Sequence, residues 1–154
     1  GRYWRFNAAD MDALGYPGFP MVDERRNPIA AAEAAAVAAA YVSLASESCR
    51  LQHRDVLHWI DNTSALHSFV KGGSTNYSVD RACAVAHFTA FANQSRQWYE
   101  FVPSEANWSD GASRDLNEDK YALENGFSLE QFVFPNFLWK LELHELWKHI
   151  VECR

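Results

Sequence analysis

Several features that would assign this sequence to a common protein class are missing from it. No uninterrupted apolar run approaches the roughly 20 residues that a membrane-spanning helix needs, so we predict a soluble protein with no membrane segment. The N-terminal residues, Gly1 to Arg5, contain neither a hydrophobic segment of signal-peptide type nor an initiator methionine. We therefore expect an intracellular chain, cytoplasmic or nuclear, that is processed from a longer one.

Cysteine and basic residues are also scarce. The three cysteines, Cys49, Cys83 and Cys153, have no paired spacing, and free thiols in a reducing compartment are expected. Lysine and arginine together number 14 against 20 acidic residues, for a formal net charge of −6. Proteins that hold nucleic acid mainly by neutralising phosphates are usually basic. The charge thus disfavours a general nucleic-acid coat and leaves room for an enzyme that meets phosphates through a few residues and bound metal ions.

The familiar catalytic motifs are absent as well. The sequence has no glycine-rich phosphate loop of the P-loop or dinucleotide kind, no serine elbow, and no cysteine with an evident histidine partner. His144 and His149 resemble a zinc-protease pair, but that motif needs histidines four residues apart. Five residues turn a helix by about 140° beyond a full turn, so the two rings do not face one metal ion. The absence of these motifs argues against the commonest classes of nucleotide-binding protein, serine hydrolase and zinc protease.

What is present is the pattern of one α/β domain. The chain has 154 residues, of which 48% are hydrophobic, and this is enough to bury a core. We predict core strands at Val56–Ile60 and Trp98–Val102, and helices at Ile29–Ser46, Ala65–Val70, Val79–Asn93 and Phe137–Cys153.

Three carboxylates lie on these predicted elements. Glu33 is one turn into an otherwise apolar helix, where it is either a solvated outer residue or a group aimed at a site. Asp61 directly follows the first strand, which suits both an α/β active site and a helix N-cap. Asp110 lies in the first turn of a predicted helix that Asn107 or Ser109 can cap. Such a set fits a hard divalent cation, Mg²⁺ or Mn²⁺, better than acid–base pairing.

Three stretches around these carboxylates carry a more specific signal through their order and spacing. They are Asn27-Pro28-Ile29 with Glu33, Trp59-Ile60-Asp61-Asn62-Thr63-Ser64-Ala65-Leu66 followed by Lys71-Gly72, and Phe101-Val102-Pro103-Ser104-Glu105-Ala106-Asn107-Trp108-Ser109-Asp110-Gly111-Ala112-Ser113-Arg114. In that order they resemble the glutamate-bearing helix, the strand ending in Asp-Asn and the closing Val-Pro…Asn…Asp…Ser-Arg signature of the ribonuclease H domain in retroelement reverse-transcriptase polyproteins. The resemblance covers about residues 27 to 115.

The resemblance implies a ribonuclease H-like α/β fold, in which helices flank a mixed five-stranded sheet. This domain would occupy residues 1–123, either with part of its N-terminal strands upstream of Gly1 or in a shortened version. Residues 124–154 would form an aromatic, helical extension that either covers the domain's own core or docks a protein partner.

The implied activity is metal-dependent hydrolysis of the RNA strand of an RNA–DNA hybrid. Glu33, Asp61 and Asp110 would hold two ions, Mg²⁺ or Mn²⁺, as catalytic and metal-binding residues. Asn62 would contact a 2′-hydroxyl of the RNA strand or cap the following helix. The implied partners are the hybrid and an upstream polymerase domain of the same polyprotein.

One departure from the family concerns its first catalytic aspartate, which lies on the first strand. Only 32 residues precede Glu33 in this sequence. That aspartate therefore lies upstream of Gly1, or is replaced by Asp10 or Asp12, or is absent. In the last case the chain would be a catalytically degenerate module that serves as a structural or protein-interaction subunit of a larger assembly.

Overall fold

A computed structural model describes residues 1–5, 10, 29–46, 50–109, 120–130 and 140–152 of the chain. Within these ranges the protein is a mixed α/β domain, as the sequence predicts. Its strands are β1 (Arg2–Tyr3), β2 (Asp55–Ile60), β3 (Arg96–Phe101) and β4 (Ser128–Leu129). Its α-helices are α1 (Ile29–Ser46), α2 (Thr63–Lys71), α3 (Tyr77–Ala92), α4 (Lys120–Glu124) and α5 (Leu143–Trp147). A 3₁₀ turn (Ser104–Ala106) follows β3, and a π-helix (Lys148–Glu152) follows α5.

The core is built on the contact between α1 and α3. Alanine dominates the buried face of α1, where Ala34, Ala35, Ala38 and Ala39 are each 0% exposed. Small side chains let two helices approach closely, and the long contact with α3 removes their backbones from water. The alanine-rich helix therefore packs chiefly on another helix, and it reaches the sheet through Tyr41, whose ring stacks on His58 of β2.

The central sheet consists of β2 and β3, which pair in parallel with Ile60 opposite Phe101. Both strands were predicted as buried, but within the described residues exposed and partly buried side chains alternate along them. Leu57, Trp59 and Trp98 are 53%, 54% and 66% exposed. The reason is that the helices of the described ranges contact one face of this pair. A parallel sheet is usually covered on both faces, so this alternation departs from the common pattern.

The C-terminal helix begins later than predicted. The sequence pattern predicts a helix over Phe137–Cys153, but Lys140 to Glu142 are not helical and α5 begins at Leu143; residues 131–139 and Cys153 lie outside the described ranges. Glu142 sets the start, because it forms a capping box with Glu145.

The described part of this extension packs on the domain itself. Leu146 is 0% exposed, and the Trp147 ring meets Phe88 and Phe91 of α3 at centroid distances of 5.1 and 5.3 Å. These contacts show residues 140–152 covering the domain's own core. The short strands β1 and β4 also pair in parallel, which ties Arg2–Tyr3 to the chain next to α4.

Among the described residues, α1 is the one helix long and apolar enough to cross a membrane by length and composition alone. Buried core helices pass the same test, and 44% of α1 is buried in the domain. The absence of a membrane segment stays a prediction.

Candidate functional site

The candidate site lies where β2 and β3 end. Ile60, the last residue of β2, is 3% exposed, and Asp61 follows it in a partly buried position. The backbone N–H of Val102 donates to the Ile60 carbonyl at 3.1 Å, so the pairing of the two strands continues one residue past β3. Because parallel strands end at the same edge of a sheet, this register brings the segment after β3 beside Asp61.

Asn107 makes the contact across this edge. Its Nδ2 donates to Oδ2 of Asp61 at 2.9 Å, joining residues 46 positions apart in the sequence. Its Oδ1 accepts hydrogen bonds from the backbone N–H and the hydroxyl of Ser109, at 3.1 and 2.7 Å. The sequence predicted either Asn107 or Ser109 as the cap of the next helix. Its bond to Asp61 was missed, because a single sequence contains no signal for a contact made only by strand pairing.

Asn62, not Asp61, caps α2. The Asn62 side-chain oxygen accepts the backbone N–H of Ala65 at 3.0 Å, and the residue has the extended backbone of an N-cap. The sequence left two roles open for Asp61, and the structure assigns the capping role to its neighbour. The Asp61 carboxylate therefore does not serve as the N-cap of α2. Any contact from Asn62 to a 2′-hydroxyl stays a prediction.

Glu33 lies in a partly buried position on the second turn of α1, near its N-terminal end. Tyr41 of the same helix stacks on His58, with ring centroids 6.1 Å apart. Glu33 precedes Tyr41 by about 12 Å along the helix, and Asp61 follows His58 by about 10 Å along the strand. That Glu33 shares a site with Asp61 stays a prediction.

The remaining predicted carboxylates are not placed together by the structure. Asp110 and Asp12 lie outside the described residues, and Asp10 is exposed. Within the described residues, no three His, Cys, Asp or Glu side chains come together as a metal-binding group. The predicted set of Glu33, Asp61 and Asp110 thus stays a prediction as a set.

The carboxylates at the two ends of β2 have different partners. Asp61 accepts a hydrogen bond from a neutral amide and, within the described residues, pairs with no basic side chain. Asp55, at the opposite end of the same strand, is paired with Arg96 through two hydrogen bonds of 2.6 and 2.9 Å. Carboxylate oxygens that keep their negative charge are the ligands that Mg²⁺ and Mn²⁺ prefer. Asp61 has no basic partner among the described residues, whereas Asp55 is already paired with Arg96, so Asp61 is the better placed of the two to bind a cation.

A cluster of aromatic and histidine side chains lies on the covered face of the sheet. His87 is held at both ring nitrogens, 2.8 Å from Oε1 of Gln97 and 3.1 Å from the Phe69 carbonyl. These two contacts make His87 a packed residue of the core. His58 lies between the rings of Tyr41 and Tyr99, and burial lowers the pKa of its imidazole to about 4. The cluster therefore favours neutral side chains.

Burial has the same effect on the other ionisable groups of this core. It raises the pKa of the Tyr41 and Tyr99 phenols, and it raises the pKa of the Cys83 thiol to about 12. Cys83 is a free cysteine, as predicted, and the structure shows that it is buried. A thiol held in its protonated form is a poor nucleophile, so Cys83 acts as a packing residue.

Comparisons with known proteins add no family assignment. A scan of protein-family models and searches of curated proteins and of solved structures found no match to this chain.

Proposed function

We propose that this chain is a metal-dependent endonuclease with a ribonuclease H-like fold, which hydrolyses the RNA strand of RNA–DNA hybrids as part of a retroelement-type polyprotein. The observation that carries the proposal is the position of Asp61 and its hydrogen bond to Asn107. Asp61 lies at the carboxyl end of a parallel strand, and Asn62 caps the following helix in its place. The neutral amide of Asn107, in the segment after β3, donates a hydrogen bond that orients the Asp61 carboxylate. The sequence resemblance then supplies Glu33 and Asp110 as its partners.

The proposed roles follow from the donor chemistry. Glu33, Asp61 and Asp110 would hold two divalent ions, Mg²⁺ or Mn²⁺, which when bound supply an activated water and stabilise the leaving oxygen of an in-line displacement. Asp61 contributes a carboxylate that is held by Asn107 and has no basic partner among the described residues. The family's first aspartate would come from upstream of Gly1 or from Asp10 or Asp12. An upstream polymerase domain and the hybrid are the proposed partners, in an intracellular setting.

A pair of matched variants on β2 tests the proposal. Asp61→Asn and Asp55→Asn make the same chemical change at the two ends of one strand. With the native upstream sequence attached, we expect the wild-type protein to cleave the labelled RNA strand of a hybrid when Mg²⁺ or Mn²⁺ is present. Asp61→Asn should lower the cleavage rate at least about 100-fold, because removing a metal ligand should reduce activity no less than removing a residue that orients a ligand. Asp55→Asn should cleave like wild type.

Two results would count against the nuclease. The first is a wild-type protein that leaves the hybrid intact with both metals. The second is an Asp61→Asn variant as active as Asp55→Asn, which would show that the cleavage does not depend on the end of β2.

A structural or protein-interaction module is the second candidate, and the outer face of the central sheet favours it. Leu57, Trp59 and Trp98 are each more than half exposed there, on a face that parallel sheets usually cover. This candidate predicts self-association or partner binding through the face. Light scattering after size exclusion should show an assembly that Trp98→Glu dissolves, and a wild-type monomer at all concentrations would argue against self-association.

A further inference from the structure

We propose that Asn107 is the positioning residue that presents the Asp61 carboxylate to a divalent cation. The inference rests on the proposed function, because it assigns a role within the same site. It starts from one geometric fact, the 2.9 Å hydrogen bond from Nδ2 of Asn107 to Oδ2 of Asp61.

The amide of Asn107 has only one consistent orientation. Ser109 donates two hydrogen bonds to one end of the amide, so that end is the oxygen Oδ1. The opposite end is then the donor, and it faces Asp61. An oxygen in that place would repel the carboxylate. The Ser109 contacts therefore fix which end of Asn107 meets Asp61, and they hold the donor in place.

The backbone fixes the position of Asn107 just as firmly. The 3₁₀ turn after β3 is closed by two hydrogen bonds, from Ala106 N to the Pro103 carbonyl at 2.8 Å and from Asn107 N to the Ser104 carbonyl at 3.2 Å. Pro103 adds a fixed φ at the start of the turn. The turn follows directly on the pairing of Val102 with Ile60, so few degrees of freedom remain between β2 and Asn107. Side chains that orient metal ligands need this kind of support.

The choice of a neutral donor matters for cation binding. A lysine or arginine in the place of Asn107 would also orient Asp61, but it would cancel the negative charge that attracts a cation. The same strand shows that alternative, because Arg96 forms two hydrogen bonds with Asp55. Asn107 engages Oδ2 and leaves Oδ1 without a hydrogen-bond partner among the described residues. We infer that Oδ1 is the oxygen offered to the metal ion, as a single-oxygen ligand.

The experiment measures Mn²⁺ affinity and hybrid cleavage in the full chain with its native upstream sequence. The electron paramagnetic resonance signal of free Mn²⁺ reports binding without any need for activity. Asn107→Leu keeps the size of the side chain and removes its hydrogen bonds, and Asn125→Leu makes the same change at an exposed asparagine of the 120–130 segment. We expect Asn107→Leu to weaken Mn²⁺ binding by about 10- to 100-fold, the range for outer-shell residues. Asn125→Leu should bind like wild type.

A second variant keeps the proposal testable if Asn107→Leu does not fold. Ser109→Ala removes the 2.7 Å hydrogen bond that steadies the amide and leaves the donor in place. It should weaken Mn²⁺ binding by a few-fold, less than Asn107→Leu. In cleavage assays both variants should lower kcat and leave the KM for the hybrid unchanged, because the proposed role of Asn107 is exerted through Asp61 and not through the hybrid. A residue that merely held the loop together would change KM as well.

The outcomes separate this inference from the nuclease proposal. If wild type cleaves the hybrid and Asn107→Leu binds Mn²⁺ and cleaves as well as wild type, Asn107 has no positioning role and the nuclease stands. If wild type leaves the hybrid intact but binds Mn²⁺ in a way that Asn107→Leu weakens, the positioning role stands and the nuclease proposal fails. If Asp61→Asn and wild type have the same Mn²⁺ affinity, the positioning role is overturned.

Discussion

His58 should make the stability of this domain depend on pH, and the structure indicates both the direction and the size. Its ring lies between Tyr41 and Tyr99, at centroid distances of 6.1 and 6.2 Å. The hydroxyls of these tyrosines are buried, and neither of them forms a hydrogen bond with the imidazole. Burial lowers the pKa of His58 from 6.5 to about 4.

A lowered histidine pKa means that the folded protein prefers the neutral ring. The stability contributed by that preference is fully present above the unfolded pKa of 6.5, and it is lost as the pH falls toward 4. The difference between 6.5 and about 4 corresponds to at most about 3 kcal/mol at 1.36 kcal/mol per pKa unit. The full figure is an upper limit, since His58 keeps some contact with solvent.

The variant His58→Phe isolates this contribution. Phenylalanine keeps a flat ring between the two tyrosines and cannot bind a proton. Urea unfolding followed by circular dichroism at pH 7, 6, 5 and 4 should show that wild type loses up to about 3 kcal/mol more than His58→Phe across this range. His67→Phe removes an exposed histidine of α2 and controls for the loss of one imidazole. Parallel stability curves for wild type and His58→Phe would refute the reasoning.

Two further predictions concern the helices that build the core. Ala38 is 0% exposed between α1 and α3 and leaves no room for a larger side chain. Ala38→Leu should therefore destabilise the domain by about 1–3 kcal/mol in urea unfolding. The control variant Ala36→Leu, on the exposed face of α1, should change stability by less than about 0.5 kcal/mol. Equal effects of the two would mean that the α1–α3 contact is loose. Gly72 closes α2 in the left-handed region with a φ of 82°, and a Cβ there would meet nothing within 4 Å. Gly72→Ala should therefore cost about 1 kcal/mol through backbone strain alone, and Gly72→Asn less, as thermal or urea unfolding can measure; an alanine variant as stable as wild type would contradict the strain argument.

The sequence by itself determined the features that depend on near neighbours. Ile29–Ser46 is helical over the full predicted range, because alanine favours the helix at almost every turn. Asn76 caps α3 through its side-chain oxygen, and Gly72 ends α2 in the left-handed conformation that glycine adopts without strain. The α/β class and the two central strands follow in the same way, since each depends on a few consecutive residues.

Only the tertiary structure decided which residues serve the candidate site and how. Asp61 and Asn62 are adjacent and both can cap a helix, and it was the fold that gave the cap to Asn62. Asn107 reaches Asp61 because β2 and β3 pair in parallel and end together, a relation between residues 46 positions apart that no local pattern encodes. The half-exposure of the central strands has the same origin, because burial depends on which elements pack against each face. Local propensity thus set the elements, and long-range strand pairing set the surroundings of Asp61.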